Sequence, residues 1–191
     1  MKSDKKNEVF AWYMYDWANS AFATTVIAAL LPIYFATVIV PSDGWVFRFC
    51  GIELSTNATT LWAFLAGAAA LFVFITAPIL GAIADISESK KKFLIAFCFS
   101  GSLFTTLLFF SRSGDVWMTM IFFFIANTCF ISANIFYDAF LPHIASRKDI
   151  DQVSGRGYAY GYLGGGLQFL ICIILIIAHN YIGIEKAMAV R

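Results

Sequence analysis

Charged residues are scarce in this sequence, and their scarcity excludes an ordinary soluble domain. Of its 191 residues, 13% are charged and 60% are hydrophobic, whereas a soluble domain carries about 25% charged residues to keep its surface wet. The formal net charge of +1 also excludes a strong overall field directed at nucleic acid or at an acidic partner. The composition therefore favours a protein that lies in a membrane.

The sequence also lacks the patterns of a disulfide scaffold, a metal centre or an enzyme. Its four cysteines include no pair with CxxC spacing. His143 and His179 stand singly, with no second metal ligand nearby. No pairing of a nucleophile with a base can be identified. We therefore expect no metal, no cofactor and no enzymatic activity.

Long hydrophobic runs are present instead. Five segments approach or exceed the roughly 20 residues that a transmembrane helix requires, and only the fourth contains a charged residue, Asp138. The first run is longer than the roughly 7–15 residues of a cleavable signal-peptide core, so we expect it to stay in the membrane. Pro32 and Pro78 each predict a local kink. The sequence predicts an all-α membrane protein with spans at 17–40, 60–83, 93–110, 116–141 and 158–177.

The positions of Lys and Arg predict the orientation of these spans. If the N-terminus is cytoplasmic, the inner segments contain nine basic residues and the outer segments contain four. This asymmetry is the one that the positive-inside rule describes. We therefore expect a cytoplasmic N-terminus, an external C-terminus after five spans and, in a bacterium, location in the cell (inner) membrane.

Polar side chains form a stripe along the fourth span. Asn127, Asn134 and Asp138 are separated by seven and four residues, so at about 100° per residue they share one helix face. Because lipid exposure of these groups would cost several kcal/mol, we expect them to face protein or water. The stripe is either the wall of a solute pathway, with Asp138 as an ion-pair or proton site, or a set of hydrogen bonds between helices.

A second polar group lies at the head of the first span. Asp16, Asn19 and Ser20 have the i, i+3, i+4 spacing of one helix face. Asp16 can be interpreted as a carboxylate that the helix N-terminus stabilises and headgroup water solvates. Because the first span runs outward and the fourth inward, Asp16 and Asp138 also lie at similar cytoplasmic depth. They would meet if these two helices are neighbours.

The loop between the second and third spans carries a short motif. Gly81 and Asp85 precede three lysines, Lys90, Lys91 and Lys92. Gly81 would allow another helix to approach closely, and Asp85 would accept backbone N–H groups at the start of that helix. The alternative, which the residues alone favour, is an ordinary cytoplasmic turn followed by a basic anchor.

A glycine-rich segment enters the fifth span. Its context argues against a nucleotide-binding loop, because no strand precedes it and no Lys-Ser or Lys-Thr follows it. Gly157, Gly161 and Gly165 instead repeat every four residues, which predicts a smooth helix face for close packing. Arg156 lies at the same inner boundary as the two aspartates. It is either their countercharge or a surface side chain that extends to the headgroups.

Several of these motifs resemble a known family. The Gly81–Asp85 loop with its lysines is similar to the signature loop between helices two and three of the major facilitator superfamily. More specific are the motifs Tyr15–Phe22, Phe136–Pro142 and Ser154–Gly166. Together they resemble the autophagy-related vacuolar amino-acid effluxer-like branch of that superfamily.

The resemblance implies a fold of twelve helices in two six-helix halves, with helices one and four of each half lining a central cavity. Asp16 and Asp138 would then lie on adjacent cavity walls, and the loop at Gly81 would be a conformational latch. The 191 residues would form five helices of an incomplete N-terminal half, with helix six expected after Arg191. Characterised fungal members of this branch are similar to exporters of large neutral amino acids from the vacuole.

Two functional hypotheses follow. The first is a fragment of a secondary transporter, whose intact form would move a small solute, amino acids by the resemblance, through alternating access. Its partners would be the lipid bilayer, the solute, protons and the missing helices, with Asp16 and Asp138 as proton or substrate-amine sites and Arg156 beside them. The second is a non-transporting membrane interaction protein or a decayed gene product, because five helices cannot form two pseudo-symmetric halves. The coding sequence downstream would discriminate between them.

Overall fold

The structure of the chain, a computed structural model, describes residues 2–49, 52–86 and 88–183, with side chains described for 5–47, 53–86 and 88–183. Five of the helices in these residues are long and apolar enough to cross a membrane. The predicted all-α membrane protein with five transmembrane helices is therefore confirmed. The five segments are Lys5–Ile39, Ala58–Ile86, Lys90–Phe110, Val116–Ile144 and Ile150–Ile177.

The first span combines two kinds of helix, whereas the later spans are mainly α-helical. Within it, α1 (Lys2–Ala21) and α2 (Leu30–Tyr34) alternate with π-helical segments at Phe22–Ala29 and Phe35–Ile39. The remaining elements are β1 (Trp45–Phe49), β2 (Ile52–Thr56), α3 (Ala58–Ile86), α4 (Lys90–Leu107), a 3₁₀ turn (Leu108–Phe110), α5 (Val116–Asp138), α6 (Leu141–Ile144), α7 (Ile150–Ile177) and α8 (His179–Ile182).

The helices extend beyond the spans that hydropathy predicts. The first helix begins at Lys2 rather than at residue 17, and α7 begins at Ile150 rather than at residue 158. Hydropathy detects only the part of a helix that can lie in lipid, whereas the backbone hydrogen bonds continue into the wet, charged residues beyond it. In the fourth span, α5 ends at Asp138 and the short α6 carries Pro142 in its first turn. A proline is tolerated there because the N–H that it lacks would have no partner within the helix.

The two prolines within spans have different surroundings. Pro78 lies inside α3, which stays α-helical from end to end. Pro32 lies in the short α2, between the two π-helical segments. The N–H of Leu30 bonds to the carbonyl of Thr25, five residues back, which is the π-helical spacing. Since proline removes one backbone donor and crowds the preceding turn, a local change of hydrogen-bond spacing near Pro32 has a physical cause.

The chain divides into two compact units, 1–31 with 137–191 and 32–136. The core of the second unit combines aromatic rings with aliphatic side chains: Phe35 and Phe123 are almost fully buried, as are Ile39 and Val73, and the ring centroid of Trp62 lies 4.2 Å from that of Phe123. The hydroxyl of Tyr34 donates a buried hydrogen bond to the carbonyl of Ser111 at 3.0 Å. Rings therefore contribute to the packing between the helices of this unit.

A β-hairpin occupies the segment between the first and second spans. β1 and β2 pair in antiparallel fashion, with Trp45 opposite Thr56 and Phe47 opposite Leu54. On one face of the hairpin, Trp45 and Phe47 contact the ring of Trp117 at centroid distances of 5.1 and 5.5 Å. A two-stranded hairpin alone is marginally stable in water, so this aromatic contact with the first turn of α5 supports it.

Candidate solute-binding site

Glycines bring α1 and α7 close together in the first unit. A Cβ atom on Gly157 would overlap the ring of Trp12, and one on Gly164 would overlap the backbone carbonyl of Trp17. At Gly161 the added atom would lie 2.7 Å from both the Oδ2 of Asp16 and the hydroxyl of Ser20. All three glycines are buried. Helix faces without side chains allow backbones to approach in this way.

The glycine face differs slightly from a simple four-residue repeat. Gly157, Gly161 and Gly165 all lie on it, and Gly165 faces the hydroxyl of Thr24. Gly164, which falls outside the four-residue spacing, makes the tightest approach to the backbone of α1. The face therefore broadens toward the C-terminal part of α7, where two adjacent glycines meet the same helix.

Three aromatic rings form a stack beside Asp16. The ring of Tyr137 lies between those of Trp12 and Tyr15, at centroid distances of 4.4 and 4.7 Å with interplanar angles of 9° and 23°. The indole N–H of Trp12 also donates to the backbone carbonyl of Tyr137 at 3.2 Å, and this bond is buried. The stack thus joins α1 to the end of α5 through both rings and backbone.

The stack brings two carboxylates into one neighbourhood. Asp16 follows Tyr15 on α1, and Asp138 follows Tyr137 at the end of α5. The two carboxyl groups are close enough to interact electrostatically. The hydroxyl of Ser20 donates to the Oδ1 of Asp16 at 3.4 Å, and Asp16 is half-buried while Asp138 is exposed. The site therefore concentrates negative charge beside aromatic surface.

The other predicted pathway residues are divided between the two units. Asn19 is half-buried on α1. Arg156 is exposed, and within the described residues its guanidinium forms no ion pair with Asp16 or Asp138. Asn127 and Asn134 belong to the second unit, where Asn127 is 4% exposed and Asn134 is half-buried. The solute pathway and the role of Arg156 stay predictions.

At the loop after α3, two of the predicted latch residues form an ion pair. The ammonium group of Lys90 lies 2.7 Å from the Oδ1 of Asp85, whereas Lys91 and Lys92 are exposed. A Cβ on Gly81 would meet nothing within 4 Å, so no other described residue approaches it closely. An exposed ion pair of this kind contributes about 1 kcal/mol or less. A latch role for the loop stays a prediction.

Trp12 and Tyr137 belong to the site, although the sequence patterns did not predict it. Both lie inside motif-bearing segments, yet an aromatic residue at a membrane boundary is ordinarily an interfacial anchor. A signal was available in the position of Tyr137, directly before an intramembrane aspartate. Within residues 2–49, 52–86 and 88–183, no group of three or more His, Cys, Asp or Glu residues could hold a metal ion.

Comparisons with known proteins place these features in a family. A family model described as "Vacuole effluxer Atg22 like" matches residues 4–152. The chain is 34% identical over 170 residues to the uncharacterized MFS-type transporter YxiO of Bacillus subtilis (strain 168), a match that covers 87% of this chain and 37% of the relative.

Two fungal proteins are also similar. Autophagy-related protein 22-1 of Penicillium rubens is 27% identical over 192 residues, covering 78% of this chain and 32% of the relative. Autophagy-related protein 22 of Coccidioides immitis is 26% identical over 172 residues, covering 72% of this chain and 28% of the relative. No solved structure matches the chain.

These matches show the family of the chain and how much of each relative's length the chain covers. The chain spans about a third of the length of the relatives it matches. These relatives bear the names of a transporter and of autophagy-related proteins, not of enzymes. The family model covers more than half of the chain, and the resemblance to the major facilitator superfamily and its effluxer branch is confirmed. This multi-pass membrane chain belongs to the family of Atg22-like vacuole effluxers.

Proposed function

We propose that this chain is part of a secondary transporter of the major facilitator type, which moves a small solute across a membrane by alternating access. Five membrane-spanning helices and membership of the effluxer family support this proposal. In such transporters two bundles of helices rock around a site near the middle of the bilayer. The described helices would supply part of one bundle.

One observation carries the proposal: the carboxyl groups of Asp16 and Asp138 lie within electrostatic reach of each other, next to the stacked rings of Trp12, Tyr15 and Tyr137. Ionisable side chains within membrane helices are costly, and by default they indicate an ion or substrate pathway. We assign Asp16 and Asp138 the binding of a proton or of a substrate amine. The aromatic surface beside them suits a partly apolar solute, and we propose amino acids as its class.

We assign further polar residues to the proposed pathway. Asn19 would contribute from α1, and Asn127 and Asn134 would contribute from α5. Arg156 would act as the countercharge in a state in which its side chain turns inward. A latch on the cytoplasmic side would be formed by the loop residues Gly81, Asp85, Lys90, Lys91 and Lys92. The Lys90–Asp85 ion pair would be one of its contacts.

The proposed orientation follows from charge. Nine of the thirteen basic residues lie in segments that are cytoplasmic if the N-terminus is inside. The carboxylate pair would then lie toward the cytoplasmic side of the membrane. In a bacterial cell the protein would reside in the inner membrane.

The test is transport by the full-length Bacillus subtilis relative in proteoliposomes. Where an aspartate of that relative aligns with Asp138 it is changed to Asn, and an aspartate that aligns with the exposed Asp149 is changed to Asn as the matched control. We expect amino-acid uptake, or its dependence on a proton gradient, to be lost in the first variant and kept in the second. Unchanged uptake across pH in the first variant would remove the coupling role assigned to Asp138.

A further inference from the structure

The hydroxyl group of Tyr137 is buried and has no hydrogen-bond partner. The residue is 6% exposed, and its Oη atom is among the buried polar atoms without a partner. The ring cannot easily turn away, because Trp12 and Tyr15 cover its two faces. Leaving a buried donor unsatisfied is costly. We therefore expect this hydroxyl to have a hydrogen-bond partner in another state of the protein.

The charged groups next to this hydroxyl are both acidic. Asp138 is its neighbour in sequence, and Asp16 follows the ring that covers it from the α1 side. The hydroxyl is within electrostatic reach of both carboxyl groups. Among the described residues neither aspartate forms an ion pair with a cationic side chain, and Lys90 pairs with Asp85. Two unpaired like charges at an apolar surface favour a cation between them.

We propose that Asp16 and Asp138 form a binding site for a monovalent cation, and that Tyr137 is the positioning residue that holds their carboxylates when the cation is bound. This inference rests on the proposed function and adds to it the charge of the ligand and the role of Tyr137. The cation is either the ammonium group of an organic solute or a metal ion such as Na⁺. Both offer a single positive charge that can lie between two carboxylates.

The role of Tyr137 follows from its donor. Its hydroxyl is a hydrogen-bond donor, and a carboxylate is an acceptor with free lone pairs. When a cation draws Asp16 and Asp138 together, either carboxylate can turn to accept the Tyr137 O–H, a charge-assisted bond stronger than a neutral one. The sandwich of rings keeps the donor in place, so little side-chain freedom is lost when that bond forms.

The test uses the 191-residue chain purified in detergent, at one fixed pH. Ethylammonium chloride, sodium chloride and tetramethylammonium chloride are titrated at matched ionic strength, and thermal unfolding is followed by tryptophan fluorescence. A ligand that binds only the folded state raises the midpoint as its concentration rises. We expect either ethylammonium or sodium to raise it in the wild type, and the active salt identifies the source of the cation. We expect tetramethylammonium, which is bulky and has no N–H donor, to leave it unchanged.

Tyr137→Phe is the decisive variant, because it keeps the stacked ring and removes only the hydroxyl. We expect it to bind the active cation about tenfold more weakly, the loss of a hydrogen bond to a charged group. Its midpoint without ligand should equal or exceed that of the wild type, since no hydrogen bond is lost. Tyr34→Phe is the matched control: it loses the bond to the carbonyl of Ser111, so its midpoint should fall while its affinity for the cation stays unchanged.

Several results would overturn the inference. They are the absence of any cation-dependent shift in the wild type, an equal shift with all three salts, and wild-type affinity in Tyr137→Phe. A lower midpoint in Tyr137→Phe with unchanged affinity would reduce Tyr137 to a packing residue and also refute its positioning role. Transport is measured separately in the full-length relative. If the relative transports its solute but the 191-residue chain binds no cation, the cation site alone is refuted. If the chain binds a cation but the relative transports nothing, the proposed function alone is refuted.

Discussion

Replacing Gly164 by Ala tests whether the close contact of α1 and α7 holds the first unit together. The added Cβ would overlap the carbonyl oxygen of Trp17 and lie 2.8 Å from the carbonyl carbon and Cα of the same residue. These are backbone atoms of a helix, which cannot rotate away as a side chain can. The two helices must therefore separate locally, and the contacts on either side of Gly164 weaken with them.

The magnitude follows from the chemistry of the change. Overpacking a tight contact costs about 1–3 kcal/mol, and a backbone clash belongs at the upper end of that range. Glycine to alanine in a helix also contributes a gain of about 0.5–1 kcal/mol. Gly166→Ala carries the same gain without the clash, because Gly166 is exposed on the same helix and a Cβ there would meet nothing within 4 Å. The difference between the two variants isolates the clash.

The assay is reversible unfolding in mixed micelles, with increasing denaturing detergent and tryptophan fluorescence as the signal. Gly164→Ala should have a free energy of unfolding lower than that of Gly166→Ala by about 1–3 kcal/mol, with Gly166→Ala at or above the wild type. Equal free energies of unfolding in the two variants would refute the reasoning. That result would mean that α7 does not approach the backbone of α1 at Gly164.

Two further predictions concern single hydrogen bonds. Trp12→Phe removes the indole N–H that donates to the carbonyl of Tyr137. It should lower the free energy of unfolding by about 1 kcal/mol more than the control variant Trp17→Phe does. Equal losses of the two variants in the same detergent titration would contradict the contribution of that bond. Asn57→Ala removes the side-chain oxygen that accepts from the backbone N–H of Thr60 at 2.8 Å, an N-cap for α3 worth about 1 kcal/mol. Asn57→Asp keeps an acceptor and should stay near the wild type in thermal unfolding, and a loss as large as that of the alanine variant would refute the capping role.

The spans could be predicted because their signal is local. A run of apolar residues long enough to cross the bilayer is visible without knowledge of any neighbour, and all five predicted spans correspond to helices in the structure. Their ends could not be predicted equally well, since α1 and α7 continue through charged residues that hydropathy scores as loop. The hairpin was missed for a related reason. Its strands gain their support from Trp117, a residue distant in the sequence.

The candidate site, like the fold, could be predicted from the sequence only in part. The spacing of Gly157, Gly161 and Gly165 predicts a smooth helix face, and the charge of Asp16 and Asp138 marks them as groups that must avoid lipid. Both inferences need only helical periodicity and the cost of placing polar groups in hydrocarbon. The sequence by itself therefore determined the membrane class, the five helices and the residues that stand out on them.

Only the tertiary structure decided which helix each of these faces meets. A glycine face can accept any helix, and its pairing with α1 depends on the whole set of contacts, including Trp12 over Gly157 and the backbone of Trp17 over Gly164. The stack around Tyr137 joins residues 125 positions apart through the Trp12 bond, and no local pattern specifies such a pair. Packing is a property of two surfaces together, whereas hydropathy and periodicity are properties of one segment.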